Sequence, residues 1–236
     1  MFHFKQFSIQ QERAVMKVGT DGVLIGAWTP VSTNYQNILD VGAGTGLIAL
    51  MLAQRCAEAS VDAVEQDIPS CEDMEANFMA SPWSNRLTAF RCSFQEFCCV
   101  TNNKYDLIVC NPPFFSNSLK NSSERKARAR HNHTLPPEDL IDGVKQLLRP
   151  NGIFSLILPA LDYEAFRLQA FRKGLFEYQK LNVRPTPNKP VKRVISVWGL
   201  QFPQFDIKEE ELVIELSRHC YSEAYTNLTR NFYLNL

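Results

Sequence analysis

Asn111-Pro112-Pro113-Phe114 directly follows the apolar run Tyr105-Asp106-Leu107-Ile108-Val109-Cys110. A run of that length reads as a buried strand of a parallel sheet. The chain therefore leaves a strand through a turn rich in fixed torsions. Each proline locks its own φ and pushes the residue before it out of the helical region. The Asn111 side-chain oxygen and the Pro112 carbonyl would then stand as two pre-aimed acceptors, with the flat ring of Phe114 beside them. Such a set suits a planar –NH₂ group: one acceptor for each hydrogen, and a ring to stack on the ring that carries it. Taken alone, the tetrapeptide also fits an ordinary strand-ending turn with a buried Phe.

A second group of residues lies upstream, in Asp40-Val41-Gly42-Ala43-Gly44-Thr45-Gly46. Glycines between a strand and a helix permit positive φ and let a ligand come close to the backbone. The helix start behind them offers free N–H groups. A dinucleotide loop would show G-x-G-x-x-G and would cradle a pyrophosphate. Here the spacing is G-x-G-x-G, and Asp40 before the first glycine would repel a pyrophosphate while favouring an ammonium or sulfonium. Glu65 ends the next strand, where an acid can accept bonds from both hydroxyls of a ribose. Either feature alone could be purely structural. Together, Asp40, Gly42, Gly44, Gly46 and Glu65 describe a pocket for a positively charged nucleoside bearing an amino acid, which is S-adenosylmethionine.

The elements that must hold these groups alternate between strand and helix, the pattern of a parallel sheet covered on both faces. Strands are expected at 37–41, 61–65, 87–92, 105–110 and 153–158. Helices are expected at 47–55, 70–79, 136–148 and 161–173, the third opened by proline and closed by Pro150-Asn151-Gly152. Residues 176–184 and 191–202 read as a closing antiparallel pair. No repeat, low-complexity tract or linker divides the chain, so one domain over residues 1–236 is expected.

Composition bounds the setting. The chain has 236 residues, 45% hydrophobic and 21% charged, with a formal net charge of zero. A largely disordered protein is excluded. No run of eighteen apolar residues suggests a membrane span, and the N-terminus lacks the pattern of a signal peptide. Seven scattered cysteines without a CxxC pair point to a reduced cytoplasmic protein without a zinc site. Cys98-Cys99 fits packing better than redox chemistry. Net neutrality hides basic segments. Lys120, Arg125, Lys126, Arg128 and Arg130 lie with His131 and His133 just after the Asn-Pro-Pro-Phe turn, and no acid falls between Glu177 and Asp206. These are either solvated loops or the rim of a nucleic-acid site.

With those residues in view, Asp40–Gly46 resembles the first motif of class I S-adenosylmethionine-dependent methyltransferases. Asn111–Phe114 resembles the [D/N]-P-P-[Y/F/W] motif of the subset that methylates planar amino or amide nitrogens. Phe7-Ser8-Ile9-Gln10 and the stretch Met16–Trp28 are similar to the bacterial tRNA adenine-N6 methyltransferases that act beside the anticodon of a valine tRNA. The resemblance implies a Rossmann-like α/β fold with a mostly parallel seven-stranded sheet, the last strand antiparallel, and helices on both faces. It implies that residues 1–36, with Lys17, Thr20 and Asp21, help close the cofactor pocket. Read bare, Met16–Trp28 is an apolar turn-helix segment with Thr20 or Asp21 as N-cap. The basic residues Arg125, Lys126, Arg128, Arg130 and His131, with Arg184, Lys192 and Arg193, would contact RNA. After the third strand many relatives place an Asp for the cofactor adenine. Here Ser93 could accept that bond and Phe94 could cover the ring.

The expected reaction is methyl transfer to the N6 of an adenine in tRNA by a monomer, with Asn111, Pro112 and Phe114 catalytic and no metal. Rival readings share the –NH₂ chemistry: a protein-glutamine methyltransferase, or an enzyme of ribosomal RNA or DNA. Against the first, only 39 residues precede Asp40, too few for the helical domain such enzymes usually carry there. A noncatalytic RNA-binding protein on the same fold is opposed by the intact Asp40, Glu65 and Asn111. A nicotinamide oxidoreductase is disfavoured by the glycine spacing.

Overall fold

The computed structural model describes residues 1–112 and 135–235. A short hairpin, β1 (Phe2–His3) and β2 (Ser8–Ile9), precedes helix α1 (Thr20–Trp28). The first half of the sheet follows as β3 (Asn37–Val41), α2 (Leu47–Arg55), β4 (Ser60–Glu65), α3 (Ile68–Ala80), β5 (Leu87–Arg91), α4 (Phe94–Val100) and β6 (Tyr105–Cys110). The second half comprises α5 (Pro137–Leu147), β7 (Leu148–Pro159), α6 (Ala160–Arg172), β8 (Phe176–Arg184), β9 (Arg193–Gly199) and β10 (Lys208–Val213). A small pair, β11 (Glu215–Ser217) and β12 (Cys220–Tyr221), and helix α7 (Glu223–Thr229) close the described chain.

The main sheet runs β10-β8-β9-β7-β6-β3-β4-β5. β9 is antiparallel to both its neighbours, β7 and β8, and every other pairing is parallel. The seven strands from β3 to β9 thus give the expected sheet with its last strand inverted. An eighth, β10, adds to the edge beside β8. Its Lys-Glu-Glu-Glu start reads as a solvated run, but those acids face basic residues of β8: Glu209 pairs with Lys180 at 3.2 Å and Glu211 with Arg184 at 3.0 Å. Leu212 supplies the buried contact.

Successive strand residues face opposite sides, and two apolar cores result. Ile38, Val61, Leu107 and Val109 join α1, α2, α3 and α7 on one face. Leu39, Val41, Ile108 and Cys110 join α4, α5 and α6 on the other. α1 packs on α2 through two glycines one turn apart: a Cβ on Gly22 would lie 3.0 Å from Leu47 Cδ2, and one on Gly26 2.7 Å from Met51 Sδ. Glycine inside a helix costs roughly 1 kcal/mol against alanine, and here it permits that close approach.

Several expectations change. α1 has Gly19, not Thr20 or Asp21, at its N-cap, and no side chain caps it. α4 lies outside the expected helices, although Ser93 and Glu96 form a complete capping box at its start. β7 begins at Leu148, because the Pro150-Asn151-Gly152 turn lies within the strand where its register to β6 shifts. The seven cysteines are free; Cys98 is buried, as packing requires, and burial pushes its thiol up to about 11, whereas Cys99 is exposed. Among the described residues no helix is long and apolar enough to cross a membrane, and no cluster of His, Cys, Asp or Glu is placed for a metal.

Candidate active site

β3 and β6 are neighbours in register, with Asp40 opposite Val109 and Val41 opposite Cys110. The glycine loop and Asn111 therefore emerge side by side at the carboxyl ends of adjacent strands, where ligands bind in open parallel sheets. β4, on the other side of β3, delivers Glu65 to the same edge.

The loop is wound by three glycines with positive φ: Gly42 at 68°, Gly44 at 56° and Gly46 at 80°. They divide by surroundings. No described residue lies within 4 Å of where a Cβ on Gly42 or Gly44 would be, whereas one on Gly46 would strike Phe78 at 2.5 Å. Gly46 serves packing against α3; Gly42 and Gly44 leave open space over the loop among the described residues. Gly42 and Ala43 donate their N–H groups to the Val64 carbonyl, which ties the loop to β4.

Asp40 is fully buried. Its Oδ2 accepts the Ala49 N–H at 3.0 Å, one of the free donors of the first turn of α2. Its Oδ1 has no hydrogen-bond partner among the described residues. Burial raises the carboxyl pKa from 3.8 to about 7, the Ala49 bond opposing this and the Glu65 charge adding to it. The site therefore holds an unpartnered acidic oxygen, which a cation would satisfy. Glu65 Oε2 accepts the Gly44 N–H at 2.8 Å and Oε1 accepts the Asp67 N–H at 2.8 Å. A carboxylate has about four lone-pair sites, so both oxygens keep capacity for hydroxyl donors.

Two buried residues of α3, which sequence reasoning missed, clip the N-terminal segment onto the loop. Asn77 Nδ2 donates to the Gln10 carbonyl and to the Thr45 carbonyl, both at 2.9 Å, while Oδ1 accepts the Gln10 N–H at 2.7 Å. Asp73 Oδ2 accepts the N–H groups of Arg13 and Ala14 at 2.9 and 3.0 Å. No local signal marks them in the sequence, since only the fold buries these polar groups and brings them their partners. Lys17 and Thr20 are exposed beyond this clip.

Asn111 is half-buried beside α1, its Nδ2 4.0 Å from the Cβ position of Gly22, and Pro112 is buried. Pro113, Phe114, Arg125, Lys126, Arg128, Arg130 and His131 lie outside the described residues. Ser93 is taken up by the α4 cap: its hydroxyl accepts the Glu96 N–H and donates to Glu96 Oε2 at 2.7 Å. Phe94 is only 5% exposed, its ring facing Gly143 of α5, where a Cβ would lie 2.4 Å away. Phe94 thus packs between α4 and α5.

The remaining basic candidates also change. Arg184 is paired with Glu211 and donates to the Lys189 carbonyl. Arg193 donates from Nε to Asp21 Oδ2 at 2.8 Å, so a residue expected on RNA holds one expected on the cofactor. A charge engaged by a neighbouring carboxylate is a poorer phosphate ligand. Lys192 is exposed.

Comparison with known proteins agrees with this geometry. Residues 23–173 match the Methyltransferase small domain. A tRNA1(Val) (adenine(37)-N6)-methyltransferase of Flavobacterium psychrophilum is 45% identical, the alignment covering all of both chains. One of Bacteroides fragilis is 45% identical over all of this chain and 98% of its own. Among solved structures, a predicted O-methyltransferase from Agrobacterium tumefaciens superposes with a TM-score of 0.68 at 15% identity, covering 92% of this chain and 100% of its own. TrmN from Thermus thermophilus gives 0.51 at 20% identity, covering 70% and 43%. At those identities the structures speak for the fold. The sequence relatives, matched end to end, place the chain in the methyltransferase small-domain family and, within it, among the tRNA1(Val) (adenine(37)-N6)-methyltransferases.

Proposed function

We propose that this protein transfers a methyl group from S-adenosylmethionine to the exocyclic N6 of an adenine in tRNA, the base beside the anticodon named for its relatives. The observation that carries the reading is the adjacency of the glycine loop and Asn111 at the ends of β3 and β6. Donor and acceptor sites then share one edge. The residues suit the cofactor: open space over Gly42 and Gly44, Asp40 Oδ1 without a partner among the described residues for its positive amino acid, and Glu65 for its ribose hydroxyls.

When bound, the cofactor supplies a methyl group activated by a sulfonium. The protein's part is to place and polarise the amine. Adenine N6 is a poor nucleophile because its lone pair is delocalised into the ring. Asn111 Oδ1 and the Pro112 carbonyl accept its two hydrogens and favour a pyramidal nitrogen. Acceptors fixed before reaction stabilise the positive charge that develops on nitrogen. In-line placement adds to the rate through orientation. The proton departs as or after the methyl arrives, so no side-chain base is needed. Phe114 stacks on the base turned out of the RNA. Arg125, Lys126, Arg128, Arg130, His131 and Lys192 form the RNA rim, and residues 1–36, held by Asn77 and Asp73, close the cofactor side of this single domain. The protein acts as a cytoplasmic monomer.

The test is incubation with labelled S-adenosylmethionine and separate pools of tRNA, ribosomal RNA and protein, followed by nucleoside analysis. Label in tRNA as N6-methyladenosine is expected. Label in glutamine of protein, or only in ribosomal RNA, refutes the assignment.

A further inference from the structure

We infer that the Asp21–Arg193 ion pair is a positioning device for the methyl-transfer site, which seats the first turn of α1 against the glycine loop and Asn111 and so sets cofactor affinity from outside the pocket. The inference rests on the cofactor reading above.

α1 begins without a side-chain cap, at an extended Gly19. Its later turns are fixed by close packing of Gly26 on Met51, but its first turn holds the more delicate contacts. Gly22 lies against Leu47, the first residue of α2 after the glycine loop, and near Asn111 Nδ2. A shift of α1 there displaces the wall that both sites share. Asp21, immediately before Gly22, is anchored by Arg193, 172 residues away in the chain. Arg193 is a firm anchor: it opens β9, where it pairs in register with Pro159 of β7 and Val183 of β8. It also donates from Nη1 to the Lys192 carbonyl at 3.1 Å. Both side chains are largely buried, 24% and 17% exposed, so solvent screens the pair less than a surface bridge. An acid in the first turn also suits the positive end of the helix dipole. The pair thus joins the inverted strand of the sheet to the helix that borders the loop.

The experiment compares wild type, Asp21→Asn, Arg193→Gln and the double variant D21N/R193Q. Titration calorimetry with S-adenosylhomocysteine gives Kd, initial rates on tRNA give kcat and KM, and urea midpoints report stability. Each single variant is expected to raise the Kd and the cofactor KM on the order of tenfold, a coupling usual for charges in contact, and the double variant no more than either single. At saturating cofactor kcat should stay within about twofold, because a pair that acts by seating the cofactor changes KM rather than kcat. Arg193→Lys should recover part of the affinity. Unchanged Kd values with lowered urea midpoints would make the pair a stabilising contact only, and would overturn the inference. Losses that add in the double variant would do the same. A wild type that binds no S-adenosylhomocysteine would instead overturn the cofactor reading, and this inference with it.

Discussion

Replacing Asp40 with Asn should make the protein more stable and a poorer binder of its cofactor. The wild-type carboxyl titrates near 7 in the fold, against 3.8 for an ordinary aspartate, because it is buried. Between those values the folded chain holds a proton that the unfolded chain has released. Stability from this group therefore falls as pH rises from about 4 to about 7 and is flat above. At pH 8 the buried charge costs about 4 kcal/mol, from roughly 3 pKa units at 1.36 kcal/mol each. Asparagine removes that cost. Its amide oxygen can still accept the Ala49 N–H, but its –NH₂ then takes the unpartnered Oδ1 position, at a cost of about 1–3 kcal/mol. The net gain at pH 8 is about 1–3 kcal/mol, or several degrees in Tm for a chain of this length. Below pH 4 the gain vanishes and the amide penalty remains. A cation beside Oδ1 favours the ionised acid. Wild-type affinity for S-adenosylmethionine should thus fall as pH drops below about 7, with proton release on binding. The Asn variant should bind on the order of tenfold more weakly at pH 8, with little dependence on pH. Urea denaturation at pH 4 and 8 and calorimetry in buffers of different ionisation enthalpy measure both effects. A variant less stable than wild type at pH 8, or one with wild-type affinity and pH slope, would reduce Asp40 to a cap on α2.

Three further substitutions probe other parts of the site. Asn111→Ala should keep cofactor affinity by calorimetry and lose at least about a hundredfold in kcat, the scale of one preorganised polar contact in a transition state; methylation at the wild-type rate refutes the acceptor role. Asn77→Ala leaves the Gln10 N–H and the Gln10 and Thr45 carbonyls without this partner, so it should cost about 1–3 kcal/mol of stability. Its cofactor KM should rise more than its kcat falls, as kinetics at several cofactor concentrations would show. Neutralising Arg125, Lys126, Arg128 and Arg130 together should weaken tRNA binding and reduce the logarithmic salt slope by roughly 3, at about 0.7–0.9 for each phosphate no longer neutralised. An unchanged slope in filter binding would return those residues to solvated loops.

The strands and helices that carry the site were legible because their apolar runs are bounded by residues that stop them. Asn37–Val41, Leu47–Arg55, Tyr105–Cys110 and Phe176–Arg184 occupy the residues expected from sequence. Glycine opens α2 and the Asn-Pro step ends β6, so the boundaries are set by backbone chemistry. β10 was hidden for the opposite reason. Of its six residues only Leu212 is buried, and its acids meet cations of a strand earlier in the chain. α4 was missed although its capping box was in plain sight, because the segment is short and Ser93-Phe94 also invited a ligand role.

The same distinction governs the site residues. Asp40, Glu65 and Asn111 could be picked out because each is a polar residue at the end of an apolar strand, a local pattern. Asn77 and Asp73 serve backbone groups 32 to 67 residues earlier in the chain, and Arg193 meets an acid 172 residues away. No local pattern encodes those pairings. Arg193 shows the consequence most clearly, since its place in a basic stretch suggests RNA and the fold gives it to Asp21. Charge density along a sequence counts cations without subtracting those that the fold neutralises. Of the three RNA candidates on or beside β8 and β9, Arg184 and Arg193 are engaged with acids, and Lys192 is exposed. The proposed RNA rim then rests on Lys192 and on the candidates in the segment Arg125 to His131, which follows Asn111 in the sequence. That segment continues from the acceptor turn itself, so RNA binding there would bear directly on how Asn111 and Pro112 meet the base.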